Sequence, residues 1–466
     1  MNSPLPSQFS ERIRSRLGKE YDAFQSALTE AVPVSIRLNS KKLSQAPALE
    51  PVPWAQTGYY LPHRPVFTLD PWWHAGAYYV QEASSMLLEQ VILQLLPSDE
   101  PLVVVDLCAA PGGKSTHLAE LLPQGSLLIS NEVIKSRANI LSENLQKWGN
   151  LGSIVTQNDP KDFQALQGKV DLLVVDAPCS GEGLFRKDPK SIAEWSPSHL
   201  QLCSSRQRRI LMDAWNALRP GGLLIYSTCT FNPEENEENI RWLVHENGCE
   251  SMAIDLDSSW GFESISLGKV QGYYALPHRV KGEGFFLSVV RKVGEEGTKR
   301  EKMGRNKHFQ KLGKGKRSDY EPYLLDTESI DLWRVGHRIQ AFPKGFDPLI
   351  YTLLEHFKVI QGGLSLGEMK GKDFRPSAAL ALSQSLHPEA FPTHHLDLEQ
   401  SLRFLARESL GKLDSKGWGL VDFQGVRLGL IKALGQRSNN YHPLPWKIRM
   451  NLDVHQGSDH SLGKYF

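Results

Sequence analysis

The chain is predicted to be an α/β protein built on a doubly wound parallel sheet. Three features carry that prediction. Apolar runs that read as buried strands recur at Leu102–Asp106, Ser126–Ser130, Asp171–Asp176 and Gly222–Thr228. Helical stretches separate them, and a Pro-Gly-Gly turn follows the first. Strands alternating with helices at this spacing specify parallel pairing with both sheet faces covered. The 466 residues exceed the ~250–300 at which a single core stops growing, so further domains must flank this one.

Taken in order, residues 1–85 mix helical and extended signals with many prolines and aromatics: a helix over Gln8–Tyr21 and a strand over Val34–Asn39. The first core strand leads through the glycine turn into a helix over Thr116–Leu122. Ser126–Ser130 precedes an amphipathic helix over Ile134–Trp148 that Gly149 stops, and Gly152–Thr156 is the third strand. A helix over Pro197–Leu218 separates the fourth and fifth strands, and Phe285–Arg291 reads as the last, closing strand. Residues 291–317 then hold eleven Lys or Arg against three Glu, with five glycines, the composition of a solvated basic linker suited to contact phosphates. Beyond it, Gly417–Asp422 and Val426–Lys432 read as a β-hairpin.

Composition excludes several classes. With 40% hydrophobic and 23% charged residues the chain is neither fibrous nor disordered throughout. No apolar run approaches the ~18–20 residues of a membrane-spanning helix, and Met1–Pro4 does not begin a secretory signal. Five cysteines without a CxxC pair argue against a disulfide scaffold or structural zinc and point to a reducing cytoplasm. The adjacent His394 and His395 have no third ligand at useful spacing and read as structural. A net charge of +1 gives no global support to nucleic-acid binding, which must come from local patches.

Chemistry concentrates at the strand ends. Cys108-Ala109-Ala110-Pro111-Gly112-Gly113-Lys114 sits between a strand and a helix, where ligands of doubly wound sheets bind. Gly113-Lys114-Ser115-Thr116 ends like a phosphate-binding P-loop. That motif, however, requires glycine at position 108, and Pro111 removes an amide donor. A nucleoside-like cofactor fits better. Glu132, twenty-six residues past Asp106, ends the second strand and can accept from ribose hydroxyls, and Asp159 after the third can meet an adenine amino group. A lone acid at a strand end is more often a turn former; two at successive ends beside a glycine turn favour a site. Cys179 follows the fourth strand in Asp176-Ala-Pro-Cys-Ser-Gly181, and Cys229 follows the fifth in Ser227-Thr-Cys-Thr230. Next, Asn232-Pro-Glu-Glu235 reads as a capped helix start. Two thiols at one sheet edge can face one pocket, and a partly exposed thiol there can act as a nucleophile. Cys203 and Cys249 have no such context.

Together, Cys108–Lys114, Asp176–Gly181 and Ser227–Thr230 resemble the Sun/Nop family of S-adenosylmethionine-dependent RNA cytosine-5 methyltransferases. Pro178–Asp188 and Asp70–Gly76 with Tyr79–Ser84 are similar to its bacterial RsmF-type ribosomal RNA branch, and Gly429–Lys432 with Asn440–Pro443 resembles that branch's PUA-like end. The resemblance implies a Rossmann-like methyltransferase sheet with a small α+β N-terminal domain and a β-rich, RNA-binding C-terminal region. The expected division is an RNA-contacting domain at 1–85, the methyltransferase core at 86–292, the basic linker at 293–318, a small domain at 319–390 and the PUA-like domain at 391–466. It further implies that Cys229 is the nucleophile toward carbon 6 of cytosine and that Cys179 releases the methylated product. Asp176 holds the cytosine's polar edge. Residues 108–114, Glu132, Asp159 and Asp176 form the S-adenosylmethionine set. Lys114 has a bland alternative as an ion pair, and Arg186 and Lys187 either hold RNA backbone or line a solvated loop. No metal is needed. The implied partner is ribosomal RNA or the small ribosomal subunit, with transfer RNA and a catalytically silent RNA-binding assembly factor as alternatives; no membrane contact and a monomer are expected. An exocyclic-amine methyltransferase would carry Asp-Pro-Pro-Tyr where this chain has Asp-Ala-Pro-Cys. With the C-terminal part tethered by a linker, deleting residues 293–466 should weaken RNA binding and spare cofactor affinity.

Overall fold

The computed structural model describes residues 5–96, 99–294, 306, 308–371, 373–413, 416–452 and 460–466. Residues 295–305 and 307 of the basic linker lie outside the described residues, while its later part carries a strand over Phe309–Lys311 and a short helix over Lys314–Arg317. Strands β1 (Val103–Asp106), β2 (Leu127–Asn131), β3 (Ser153–Thr156), β4 (Val170–Asp176) and β5 (Leu218–Thr228) form the parallel centre of a ten-stranded sheet, in the order β5-β4-β1-β2-β3. This is the doubly wound sheet expected from the sequence. Its strands are apolar runs because helices cover both faces; Val104, Val105, Leu172 and Leu173 are fully buried. Helix α1 (Gly113–Leu121) follows β1, α2 (Lys135–Trp148) follows β2, α3 (Pro197–Trp215) precedes β5 and α4 (Glu237–Asn247) follows it. Gly149 ends α2 in the left-handed conformation, φ +87°.

Strand β6 (Phe285–Arg291) pairs antiparallel with β5, but it does not end the sheet. The hairpin Glu263–Leu267/Val270–Ala275 extends that edge. At the far edge, β7 (Val359–Gln361), from well beyond the basic linker, pairs antiparallel with β3.

The N-terminal four-stranded sheet comprises Val34–Leu38, Glu50–Pro51, Gly58–Leu61 and Tyr78–Val80. The predicted single N-terminal helix is two, Ser7–Leu17 and Tyr21–Ala27, broken at Gly18 (φ +54°). They press Phe9 against Phe185 (4.9 Å) and Phe24 against Phe231 (5.2 Å). A five-stranded antiparallel sheet spanning Phe309–Pro376 begins inside the stretch expected as linker, because Phe309–Lys311 pairs with Ile330–Val335, and a four-stranded sheet containing the hairpin Gly417–Phe423/Val426–Ala433 follows.

The C-terminal region is docked, not merely tethered. Ile36, Trp72 and Tyr78 of the N-terminal domain share one buried cluster with Phe404, Val421 and Leu428. Trp72 Nε1 donates to the Phe423 carbonyl (3.3 Å), and Leu462 N donates to Asp70 Oδ2 (3.0 Å). Phe357 packs on Phe163 at 5.1 Å. Lys358 N donates to Asn158 Oδ1 (3.0 Å), and Gln157 N donates to the Lys358 carbonyl (2.9 Å), so this region braces the loop carrying Asp159. Deleting residues 293–466 therefore does not leave a free-standing core with intact cofactor affinity. Removing residues 293–466 uncovers this apolar surface and the β3 edge, and the fragment is expected to aggregate or melt without cooperativity. A soluble fragment with a sharp thermal transition by circular dichroism would contradict this.

Candidate active site

The loop after β1 is held by its neighbours. Leu107 N donates to the Val174 carbonyl (2.9 Å), and Ala109 N to the Asn131 carbonyl (2.8 Å). Arg137 and Asn144 of α2 donate to the carbonyls of Ala110 and Pro111, both at 2.8 Å. Gly112 enters α1 at φ +117°, a conformation that favours glycine. These contacts leave the loop lying at the carboxyl end of the sheet.

Asp106, which sequence reasoning used only as a landmark, is the unexpected member of this site. It is fully buried; Ser115 Oγ donates to Oδ2 at 2.6 Å, and Oδ1 has no partner. Burial pushes its carboxyl up to about 7, against the lowering effect of Ser115. The only sequence signal was an acid terminating an all-apolar strand. Around Cys108, burial and then the charges of Asp106, Asp176 and Glu132 push the thiol far above its ordinary range. Three carboxylates thus converge on one loop, suited to a cationic, hydroxyl-rich ligand.

Glu132 is 4% exposed, accepting from Ile134 N (2.9 Å) and pairing with Arg137 (3.1 Å). Asp159 accepts from Lys161 N (3.2 Å) at the head of a short 3₁₀ turn and lies 3.7 Å from Arg209. The turn-forming role weighed for such acids therefore holds for Asp159 alongside its place at the strand end.

Asp176 ends β4 opposite Ser227 on β5. Ser227 Oγ donates to Oδ1 (2.7 Å), and Lys114 Nζ meets Oδ2 (2.8 Å). The Lys114 side chain is 13% exposed and its Nζ is 5.1 Å from the centre of the Phe285 ring, so its ion pair lies inside the site. Burial works against its charge, but Asp176 outweighs it and raises the lysine's pKa. Beyond Asp176 the two strand-end loops bring Cys179 Sγ and Cys229 Sγ to 3.1 Å, both partly exposed. The hydrogen bond to Cys229 and then burial raise the Cys179 thiol well above its ordinary value, so Cys179 keeps its proton. Cys203 on α3 and Cys249 after α4 are buried outside this pair.

A buried polar layer sets that spacing. Ser180 Oγ and Thr230 Oγ1, each next to one cysteine, are 2.9 Å apart. Glu235 accepts from Ser180 N (2.9 Å), Ser180 Oγ (2.5 Å) and Gln207 Nε2 (2.9 Å). Glu182 accepts from Trp195 Nε1 (2.7 Å), Thr230 Oγ1 (3.1 Å), Phe231 N (3.0 Å) and Asn232 Nδ2 (2.6 Å). Burial raises both carboxyls, Glu182 to about 7. This network overturns the helix start predicted at Asn232. Asn232 makes no capping bond, Pro233–Glu235 is a 3₁₀ turn, and α4 begins at Glu237. The side chains that would cap the helix are engaged beneath the cysteines instead.

Arg186 is no free RNA contact: its side chain is 5% exposed and donates to the carbonyls of Glu30, Ala31 and Gly282. Lys187 pairs with Glu283 at 2.8 Å. His395 Nδ1 lies 2.7 Å from Asp422, far in sequence from the cysteine loops. Among the described residues no group of three or more His, Cys, Asp or Glu could hold a metal ion, and no helix is long and apolar enough to cross a membrane.

The chain also matches known proteins along most of its length. Residues 92–291 match the family described as 16S rRNA methyltransferase RsmB/F. Residues 5–83 match the N-terminal domain of 16S rRNA methyltransferase RsmF, and residues 391–448 match the methyltransferase RsmF PUA domain. The ribosomal RNA small subunit methyltransferase F of Cronobacter sakazakii is 30% identical over 470 residues, covering 94% of this chain and 95% of that one. Its counterpart in Salmonella agona is 31% identical over 476 residues, covering 94% and 96%. Among solved structures, a methyltransferase homolog protein from Pyrococcus horikoshii superposes with a TM-score of 0.52 at 26% sequence identity, covering 62% of this chain and 95% of that one. NSun6 from Pyrococcus horikoshii, solved with SFG, shares the fold at a TM-score of 0.52 and 22% identity, covering 62% and 99%.

Proposed function

The chain belongs to the ribosomal RNA small subunit methyltransferase F family, and from that premise we propose that it methylates carbon 5 of a cytosine in small-subunit ribosomal RNA through a covalent bond to Cys229. The methyl donor is S-adenosylmethionine, which when bound supplies an electrophilic methyl group. The residues present fit it: the Asp106, Glu132 and Asp176 carboxylates suit a sulfonium and ribose hydroxyls, and Asp106 Oδ1 is buried without a partner. The Cys108–Lys114 loop, Glu132 and Asp159 complete the set that would hold it.

The observation that carries the cytosine-5 reading is the 3.1 Å approach of the two sulfurs beside Asp176. Carbon 5 of cytosine is a weak nucleophile. A thiolate adding to carbon 6 converts the ring to an enamine, which can attack a methyl group from carbon 5. Cys229 supplies that thiolate after its proton passes to solvent, and the Cys179 S–H donates toward it. Asp176, held by Lys114 and Ser227, accepts from the cytosine's polar edge. After transfer the carbon 5 proton must leave so that the electron pair re-forms the double bond and expels Cys229. While Cys229 is anionic its charge helps keep Cys179 protonated. Once Cys229 is a neutral thioether that influence is gone, and Cys179 can lose its proton to solvent and act as the base.

The test is to incubate the purified chain with S-adenosylmethionine and, separately, naked 16S ribosomal RNA, small subunits and transfer RNA, followed by bisulfite sequencing. One protected cytosine in ribosomal RNA is expected. Protection only in transfer RNA would move the substrate, and labelled methyl incorporation without any protected cytosine would overturn carbon 5. The raised Asp106 carboxyl also makes cofactor binding depend on pH. Asp106 is protonated below about 7, which removes one of the three negative charges. S-adenosylmethionine affinity, measured calorimetrically, is expected to rise severalfold from pH 6 to pH 8 and to lose that dependence in Asp106→Asn.

A further inference from the structure

A cavity of about 310 Å³ lies where the five-stranded sheet meets α2 and the C-terminal four-stranded sheet. Glycines line it: Gly362 and Gly363 in the turn before the strand Leu364–Lys370, and Gly367 within that strand. A Cβ at Gly362 would stand 2.7 Å from Gln340 Oε1, so a larger residue there displaces the Gln340 amide. Gln340 is 8% exposed and lines the cavity, yet its Oε1 has no hydrogen-bond partner. The register of its strand slips between Ile339 and Gln340, which sets the amide at a break in the ladder. A buried amide oxygen without a donor is costly unless something supplies one.

Two rings in edge-to-face contact, with a cation on each, lead into this cavity. Lys432 Nζ is 5.2 Å from the Trp418 ring centre, Trp418 and Tyr441 are 4.4 Å apart, and the Arg375 guanidinium is 5.0 Å over the Tyr441 ring. Arg375 and Tyr441 both line the cavity. The Arg375 side chain is 46% exposed and reaches Glu368 only at 3.5 Å. Guanidinium planes and aromatic rings are the platforms on which unstacked bases rest, and a neighbouring cation suits the backbone phosphate.

We propose that this cavity binds an unstacked nucleobase of the RNA substrate, stacked on Arg375 at the end of the Trp418–Tyr441 pair, with the Gln340 side chain turning so that its Oε1, closed to solvent here, accepts from an exocyclic amine or ring N–H. The proposal rests on the reading that the substrate is RNA. It gives the C-terminal region a contact with one nucleotide away from the cysteines, and so a part in choosing the target.

The experiment cross-links the full-length protein to an unsubstituted 16S ribosomal RNA transcript by direct ultraviolet irradiation, which reports any base in contact, and maps the sites by peptide mass spectrometry. Cross-links to residues 360–376 or to Tyr441 are expected, and their loss in Arg375→Ala. Cross-links confined to the cysteine loops would overturn the cavity assignment alone. No cross-link anywhere would overturn the RNA-substrate reading and the assignment with it. In filter binding with the same transcript, Arg375→Ala and Gly362→Ala are each expected to weaken affinity about tenfold at unchanged S-adenosylmethionine affinity. Tyr441→Phe should bind like the parent because the ring, not the hydroxyl, does the stacking. Unchanged affinity in both Arg375→Ala and Gly362→Ala would overturn the proposal.

Discussion

Cys229→Ala is expected to reduce methyl transfer by at least about 10³-fold while leaving S-adenosylmethionine affinity and the melting temperature close to those of the parent. The size follows from the proposed chemistry. Without a sulfur at carbon 6 the ring keeps its aromatic electron distribution, and losing about 4 kcal/mol of barrier reduction corresponds to that factor. Cys229→Ser should be nearly as inactive, because a hydroxyl is a much weaker acid than a thiol and supplies far less of the anion. The stability expectation follows from the surroundings: Cys229 is partly exposed, and the Glu182–Asn232–Glu235 layer beneath it is satisfied without its sulfur. Filter-bound transfer of labelled methyl to small-subunit ribosomal RNA measures the effect. Turnover within tenfold of the parent would remove the covalent step.

Cys179→Ala should do something qualitatively different: accumulate a covalent protein–RNA adduct that survives SDS electrophoresis in the presence of S-adenosylmethionine. The two sulfurs are close enough for one hydrogen bond, so removing the second takes away the group placed to receive the carbon 5 proton. Addition and methyl transfer still proceed through Cys229, but elimination stalls. The double variant Cys179→Ala with Cys229→Ala should show no adduct, which identifies the attached sulfur. Free multiple turnover in Cys179→Ala would end its assigned role. An adduct forming without S-adenosylmethionine would place the stall before methyl transfer.

Local pattern was enough for the sheet. Val103–Asp106 and Leu172–Asp176 are apolar runs because strands covered on both faces need no polar side. A Pro-Gly-Gly turn and a glycine at 149 mark the ends of the elements they join. Strand ends are also where doubly wound sheets hold ligands, so the Cys108–Lys114 loop, Glu132, Asp176 and the two cysteine loops were legible as one edge. At Asn232 local pattern misled. An Asn-Pro-Glu-Glu sequence has the form of a capped helix, but its amide and second carboxylate bond to Ser180, Glu182 and Gln207, and nothing in the spacing announces those partners.

What the sequence by itself determined is the doubly wound sheet, its helices and the strand ends from which the cysteines and the cofactor acids project, because those follow from hydrophobic periodicity and turn chemistry within a few residues. Only the tertiary structure decided the 3.1 Å sulfur spacing, the buried state of Asp106 and the clamping of Arg186 by backbone carbonyls. It also decided that Val359–Gln361 completes the sheet and that the N- and C-terminal domains share a core. Each of these joins residues distant along the chain, and their geometry and burial depend on packing that no local periodicity records.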